Sequence, residues 1–295
     1  EYQTVMRAAI MSRAQNPQHA IEDLLEKPTF SGFVEVSFLK DISVCMFVCR
    51  NDDGIALRCL WNGSFEPFSL AIWSVLARNS NCVIDVGAHS GIYSLFAHAV
   101  NPLAEILSFE PFPVNYARLS LNLRSNQFRD HMALNLAISN MEGIVPFSGS
   151  ANSWYLSAGG SISSQQNANT IPATCTTLDK IVVGNDIKPQ LIKMDVEGHE
   201  LQVLQGCPRV LKDNSPDIII ESVFNQNTRD IESILKQRGY RFYVIQDDNL
   251  ALEEVEHLRP SSSQGINMDQ CNRLITKRSS DEIADIEASA QSLFL

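Results

Sequence analysis

One stretch of nine residues constrains this chain more than any other: Val83-Ile84-Asp85-Val86-Gly87-Ala88-His89-Ser90-Gly91. An apolar strand ends in an acid and a glycine-bearing turn, and Ile92, Leu95, Phe96 and Ala99 then repeat at helical spacing. A strand running straight into an amphipathic helix is the opening unit of an open α/β sheet, in which ligands bind beyond the carboxyl ends of the strands. Gly87 lets the backbone come close to such a ligand, and Gly91 permits tight helix–strand packing.

The same rhythm continues downstream. Strands are predicted at Ile106–Phe109, Ala133–Ile138, Leu191–Met194, Ile218–Ile220, Phe242–Ile245 and Arg273–Thr276. Helices follow Pro113 (carrying Tyr116, Leu119 and Leu123), cover Glu200–Leu204 before Gly206, and cover Arg229–Arg238 before Gly239. Alternating strands and helices imply a parallel sheet covered on both faces, and the last two strands, with no helix between them, imply a closing antiparallel pair. The expected fold is a doubly wound, seven-stranded, mostly parallel sheet over residues 66–278. Its first helix opens at Pro67, with Phe68, Ala71, Ile72, Val75 and Leu76 on the apolar face.

Residues 1–65 read as an annex. Its first 30 residues are polar helix and loop, and strands follow near Val34–Phe38, Val44–Val48 and Ile55–Leu60. Asn51-Asp52-Asp53-Gly54 reads as the hairpin turn between the last two. Residues 279–295 form a final, peripheral helix, opened by the capping box Ser279-Ser280-Asp281-Glu282. Residues 148–172, rich in Ser, Asn, Gln, Ala and Gly around Trp154 and Tyr155, read as a functional loop, and 246–271 as a second one.

A net charge of −11 disfavours nucleic acid as the main partner. No apolar run reaches the roughly 20 residues of a membrane span. Seven scattered cysteines do not form a disulfide framework, and Cys45, Cys49 and Cys59 lack the His or second Cys pair that a metal cluster would want. Buried, reduced thiols in a cytoplasmic setting are the expectation.

A dinucleotide-binding turn would carry Gly-x-Gly-x-x-Gly, whereas this turn has two glycines four apart, preceded by Asp85. A carboxylate there suits a cationic amino group rather than a pyrophosphate. Nineteen residues past Gly91, the second strand ends at Glu110, placed to accept hydrogen bonds from both ribose hydroxyls. Together the two acids point to an adenosyl ligand with an ammonium group.

The sequence resembles the FkbM family of class I methyltransferases. The likeness runs through Ile84–Leu95, Phe109-Glu110-Pro111-Phe112-Pro113-Val114-Asn115, Leu121-Asn122-Leu123 with Asn126, Asn135–Ser139 and Thr177-Leu178-Asp179. It closes with Lys193-Met194-Asp195-Val196-Glu197-Gly198-His199-Glu200 and Leu204-Gln205-Gly206, covering roughly residues 80–222. His89 departs from the Asn that the family often carries. The resemblance implies S-adenosylmethionine as methyl donor, with contacts from Asp85, Gly87, Ala88, His89, Gly91 and Ser94, from Glu110, Pro111 and Asn115, from Ala137 and Ile138, and from Asp195. It also implies O-methylation of a sugar, lipid or polyketide hydroxyl.

Methyl transfer to an alcohol needs alignment of nucleophile and methyl, and a base in reach of the hydroxyl proton. Asp195, at the end of the fourth strand, is expected to contact the donor's amino group or the acceptor, with His199 as general base. Glu200 reads as a helix N-terminal acid. Glu221, ending the fifth strand, could bind the acceptor or join Asp195 around a divalent ion, but the sequence shows no close acidic pairing, so no metal is expected. Trp154 and Tyr155 either stack on the acceptor or anchor their loop. The competing readings are N-methylation of a peptide or small amine, a non-catalytic adenosyl-binding protein, and, disfavoured by the turn and the charge, a dinucleotide oxidoreductase or a nucleic-acid methyltransferase.

Overall fold

The computed structural model describes residues 27–128, 132–149, 156, 160–163, 170–221, 227–258 and 272–294. In chain order, β1 (Gly32–Leu39) and β2 (Ile42–Val48) form a hairpin. A short helix α1 (Gly54–Leu57) runs into a π-helical turn (Arg58–Asn62), and α2 (Pro67–Arg78) follows. Next come β3 (Cys82–Val86), α3 (Ile92–Val100), β4 (Glu105–Phe109), α4 (Pro113–Ser125), β5 (Met132–Leu134), β6 (Ala137–Ile138), β7 (Gly143–Ser148), β8 (Ser161–Ile162) and β9 (Thr170–Thr176). The chain then forms α5 (Leu178–Gly184), β10 (Leu191–Met194), α6 (Glu200–Gln205), β11 (Asp217–Glu221), α7 (Thr228–Lys236), β12 (Arg241–Gln246), β13 (Ala251–Val255), β14 (Asn272–Thr276) and α8 (Ser280–Ser292).

The main sheet is α/β and mixed, with strand order β13-β12-β14-β11-β10-β3-β4-β5. Its five strands from β11 to β5 are parallel neighbours, and β14 inserts antiparallel between β11 and β12. The chain therefore winds one way from β3 to β5, then returns to the other side of β3 with β10, which puts the topological switch point, where open α/β sheets bind their ligands, at the carboxyl ends of β3 and β10. Period-two alternation sends Val83, Leu191, Ile219 and Leu274 into one core with α2, α3 and α8, while Ile84, Ile192, Ile218 and Ile275 face a second core with α5, α6 and α7. Both faces are thus dry, which is what a central parallel sheet requires.

Several expectations change. The sheet has eight strands, not seven: β13 pairs antiparallel with the outer side of β12, in a stretch read from sequence as loop. The Ala133–Ile138 strand breaks in two, β5 staying in the main sheet and β6 pairing with β9 in a separate four-stranded sheet, order β6-β9-β7-β8. Asn51-Asp52-Asp53-Gly54 is no hairpin turn. Asp53 instead accepts hydrogen bonds from Ile55 N and Ala56 N and caps a helix, so 55–60 coils rather than extends. The hairpin turns earlier, at Lys40-Asp41, with Asp41 at φ 60°. The capping box at Ser279 forms as expected, but α8 is not peripheral: Ile283, Ile286 and Ala290 are buried against the first core. Of the six described cysteines, all free, Cys49 is exposed, Cys45 half-buried and four are buried. Among the described residues no helix is long and apolar enough to cross a membrane. Residues 1–26, Trp154 and Tyr155 lie outside the described residues.

Candidate donor and acceptor site

The glycine loop is built by backbone hydrogen bonds across the strand ends. Gly87 N and Ala88 N both donate to Phe109 O, at 2.9 and 3.0 Å, fixing the loop against the end of β4. Gly87, at φ 82°, lies so close to Asp195 that an added Cβ would fall 1.7 Å from its carbonyl oxygen. Only glycine fits there, and its absence of side chain brings the β3 and β10 loops into contact. Gly91, at φ 97°, opens α3, and a Cβ there would meet Leu119 Cδ1 at 2.6 Å.

Glu110 is buried, and its two oxygens accept from His89 N (2.9 Å) and Phe112 N (2.8 Å). Burial raises its pKa to about 7 against the pull of those amides. Asn135 Nδ2 bonds the carbonyls of Glu110 and Pro111 (2.8 and 2.9 Å), and Asn115 is buried on the first turn of α4. Asp85 behaves differently from its sequence reading. Its Oδ2 accepts from Ser94 N (3.1 Å) and Ser94 Oγ (2.6 Å), so this oxygen holds the N-terminus of α3, and burial raises its pKa to about 6. Ala137 and Ile138 are buried in the small sheet, beside Cys175 and Thr176 of β9.

At the end of β10 a cation governs the site. Lys193, in register with Asp85, is buried, with Nζ 3.4 Å from Asp195 Oδ2, 3.1 Å from Asn272 Oδ1 and 4.8 Å from the centre of the Tyr93 ring. Burial opposes its charge, but Asp195, Glu66, Glu221 and Asp85 outweigh that and raise its pKa. Asn272 Nδ2 reaches Glu66 Oε2 at 2.8 Å, and Tyr93 Oη donates to the same oxygen at 2.5 Å. Burial pushes the Asp195 carboxyl up, yet Lys193 and a hydrogen bond with Glu221 bring it below the usual range. Glu221 carries the complementary shift, to about 10, from burial and the Asp195 charge, so the two carboxyls share one proton near neutral pH.

The carboxylates of Asp195, Glu197 and Glu221 lie within 4.8 Å of one another. That is the close acidic pairing missing from the sequence, and among the described residues these three side chains are the ones that could hold a divalent cation. Glu197, at φ 53°, is raised to about 7 by burial and by Asp195. His199 turns elsewhere: its Nε2 lies 2.7 Å from Ser139 Oγ, and burial alone lowers its pKa. The imidazole on which the Asp195 charge acts is that of His89. Glu200 accepts from Gly198 N at 3.0 Å, as a helix N-terminal acid does. Sequence reading missed Lys193, Asn272, Glu66 and Tyr93. Lys193 left a signal, a lone charge inside the otherwise apolar strand Leu191–Met194, whereas Asn272 and Glu66 left none.

The residues present fit an adenosyl donor. A buried acid at the end of β4, a loop that requires glycine at position 87, and a buried imidazole nitrogen, His89 Nε2, without a partner gather polar groups at that switch point. The family profile described as "Methyltransferase FkbM domain" matches residues 85–242. Methyltransferase sdnD of Sordaria araneosa is 28% identical over 192 residues, covering 54% of this chain and 73% of that protein. Hexuronic acid methyltransferase AglP of Haloferax volcanii is 25% identical over 161 residues, covering 55% of this chain and 64% of that protein, just under two thirds of its length. Among solved structures, the methyltransferase FkbM of Methylobacillus flagellatus aligns over 66% of this chain and 43% of its own, with 18% identity and a TM-score of 0.45. The profile match spans more than half of the residues, and the chain belongs to the FkbM methyltransferase domain family, enzymes that take their methyl group from S-adenosylmethionine.

Proposed function

We propose that this enzyme O-methylates a hydroxyl on a small molecule, with a sugar as the first candidate class and lipid or polyketide hydroxyls next. The observation that carries the reading is the buried Lys193 with the half-buried Asp195 and Glu221, at the same strand edge as Glu110 and in contact with the glycine loop. The name of AglP, a hexuronic acid methyltransferase, supports a sugar-like acceptor. Bound S-adenosylmethionine supplies an activated methyl on a sulfonium, so the chain's own task is to align the hydroxyl and take its proton. Lys193 keeps Asp195 ionised at neutral pH, ready to accept a hydrogen bond from the acceptor hydroxyl. Asp195 is the proposed proton acceptor, and Glu221 holds the neighbouring proton. His199, the base expected from sequence, spends Nε2 on Ser139 and is assigned to holding the β10–α6 turn against the small sheet.

Incubation with methyl-labelled donor and a panel of hydroxyl acceptors, uronic acid glycosides included, tests the class through product mass. On an accepted substrate, Asp195→Asn is expected to cut kcat by about 100-fold or more, with S-adenosylhomocysteine affinity kept, while His199→Ala stays within about tenfold of wild type. Full turnover by Asp195→Asn would remove Asp195 from the chemistry, and methylation confined to amines would replace the O-methyl reading.

A further inference from the structure

Beside the glycine loop, two buried polar atoms have no hydrogen-bond partner: Asp53 Oδ2 and His89 Nε2. Asp53 is fully buried, and its other oxygen caps α1 through Ile55 N (3.0 Å) and Ala56 N (3.2 Å). His89, at φ 51° between Gly87 and Gly91, has Nδ1 3.2 Å from Ser90 Oγ. The two side chains are electrostatic neighbours, since Asp53 is the strongest charge acting on the imidazole, ahead of Asp195 and Arg118. Arg118 is already committed, bonding Asp52 through two oxygens at 3.0 and 2.7 Å and Phe47 O at 2.7 Å.

A buried carboxylate oxygen without a donor is costly, and a well-packed chain keeps one only where something completes it. Burial disfavours the charged form of His89, and in the tautomer whose Nδ1–H donates to Ser90 Oγ, Nε2 is a second acceptor. A carboxylate and an imidazole lone pair would repel an anion and suit a cationic N–H group. The position narrows the choice. The loop carrying His89 is tied to Glu110 by His89 N, so an adenosine held at Glu110 lies along the same loop. The amino-acid half of the donor carries one ammonium group.

We propose that Asp53 and His89 form the subsite for the methionine ammonium of the donor, so that the annex, outside the 85–242 family match, completes the donor site. The inference rests on the donor-site assignment above.

Titration of the full chain with S-adenosylhomocysteine and with 5′-methylthioadenosine, which keeps adenosine and sulfur but lacks the amino acid, separates the two. Asp53→Asn retains a capping oxygen, while the charge is lost and the unpaired acceptor Oδ2 becomes an amide N–H donor. It is expected to weaken S-adenosylhomocysteine binding by about tenfold or more and to leave 5′-methylthioadenosine binding unchanged, and His89→Ala is expected to show the same selectivity. Equal losses for both nucleosides would mean a purely structural role, and no loss for either would mean no contact. Both results overturn the inference while the donor site stands. If the wild-type chain binds neither nucleoside, the donor-site assignment fails and this subsite with it.

Discussion

At the scale of single residues, Glu110 shows how burial tunes a binding group. Its carboxyl is raised to about 7 in the free protein, so at pH 6 it is mostly protonated and accepts poorly from the ribose hydroxyls. Ionisation between pH 6 and 8 turns both oxygens into full acceptors. Affinity for S-adenosylhomocysteine is therefore expected to rise with pH through 7, approaching about tenfold per unit on the acid side, as titrations at pH 6, 7 and 8 would show. An affinity flat across that range would mean that Glu110 is already ionised or does not touch the donor. The acids at 85, 110 and 195 were legible in the sequence because each stands at the end of an apolar strand, Asp85 one residue before the last and the other two directly after it. What each does was less legible, because Asp85 commits an oxygen to Ser94 in the next helix and Asp195 answers to a lysine two residues earlier. Strand periodicity shows where a side chain sits, not which partner it meets across the sheet.

At the scale of elements, the site depends on how closely the β3 and β10 loops approach. Gly87→Ala would drive a methyl into the Asp195 carbonyl at a left-handed φ, so it is expected to destabilise the fold by about 2–4 kcal/mol and to weaken donor binding. Urea unfolding measures the first effect, and wild-type stability in that variant would mean that the loops part without cost. The strand–helix alternation from β3 onward was readable because apolar period and turn residues agree there. The annex was misread where they conflict. Asn51-Asp52-Asp53-Gly54 has hairpin chemistry, but Asp53 spends its side chain on the following amides, and Gly54 has no positive φ. The small four-stranded sheet escaped notice because β6 and β8 have two residues each, too few to show a period.

At the scale of the whole molecule, the annex and the sheet domain share one core. Val34, Val36, Val44 and Met46 of the hairpin pack with Leu95, Phe96, Leu119 and Leu123. The side-chain oxygens of Asn122 and Asn126 accept from Phe47 N and Cys45 N at 2.8 Å, and the buried Arg118–Asp52 pair locks the hairpin's exit to α4. A buried ion pair adds little net stability when intact but costs several kcal/mol once one partner is removed. The full chain is thus expected to melt in one cooperative transition, and a chain beginning at residue 66 to lose it, as calorimetry would show. A 66–294 fragment that melts like the full chain would make the annex an independent appendage. This union was not legible from sequence, because the residues joining the two parts are 66 to 81 positions apart.

An adenosyl donor seated against Glu110 is the central claim, and calorimetric titration of S-adenosylhomocysteine into wild-type and Glu110→Gln protein at pH 8 tests that placement most directly. The expected result is saturable binding to wild type and an affinity lower by about tenfold or more in the variant, with its melting temperature preserved. Equal affinities in the two proteins would contradict the placement.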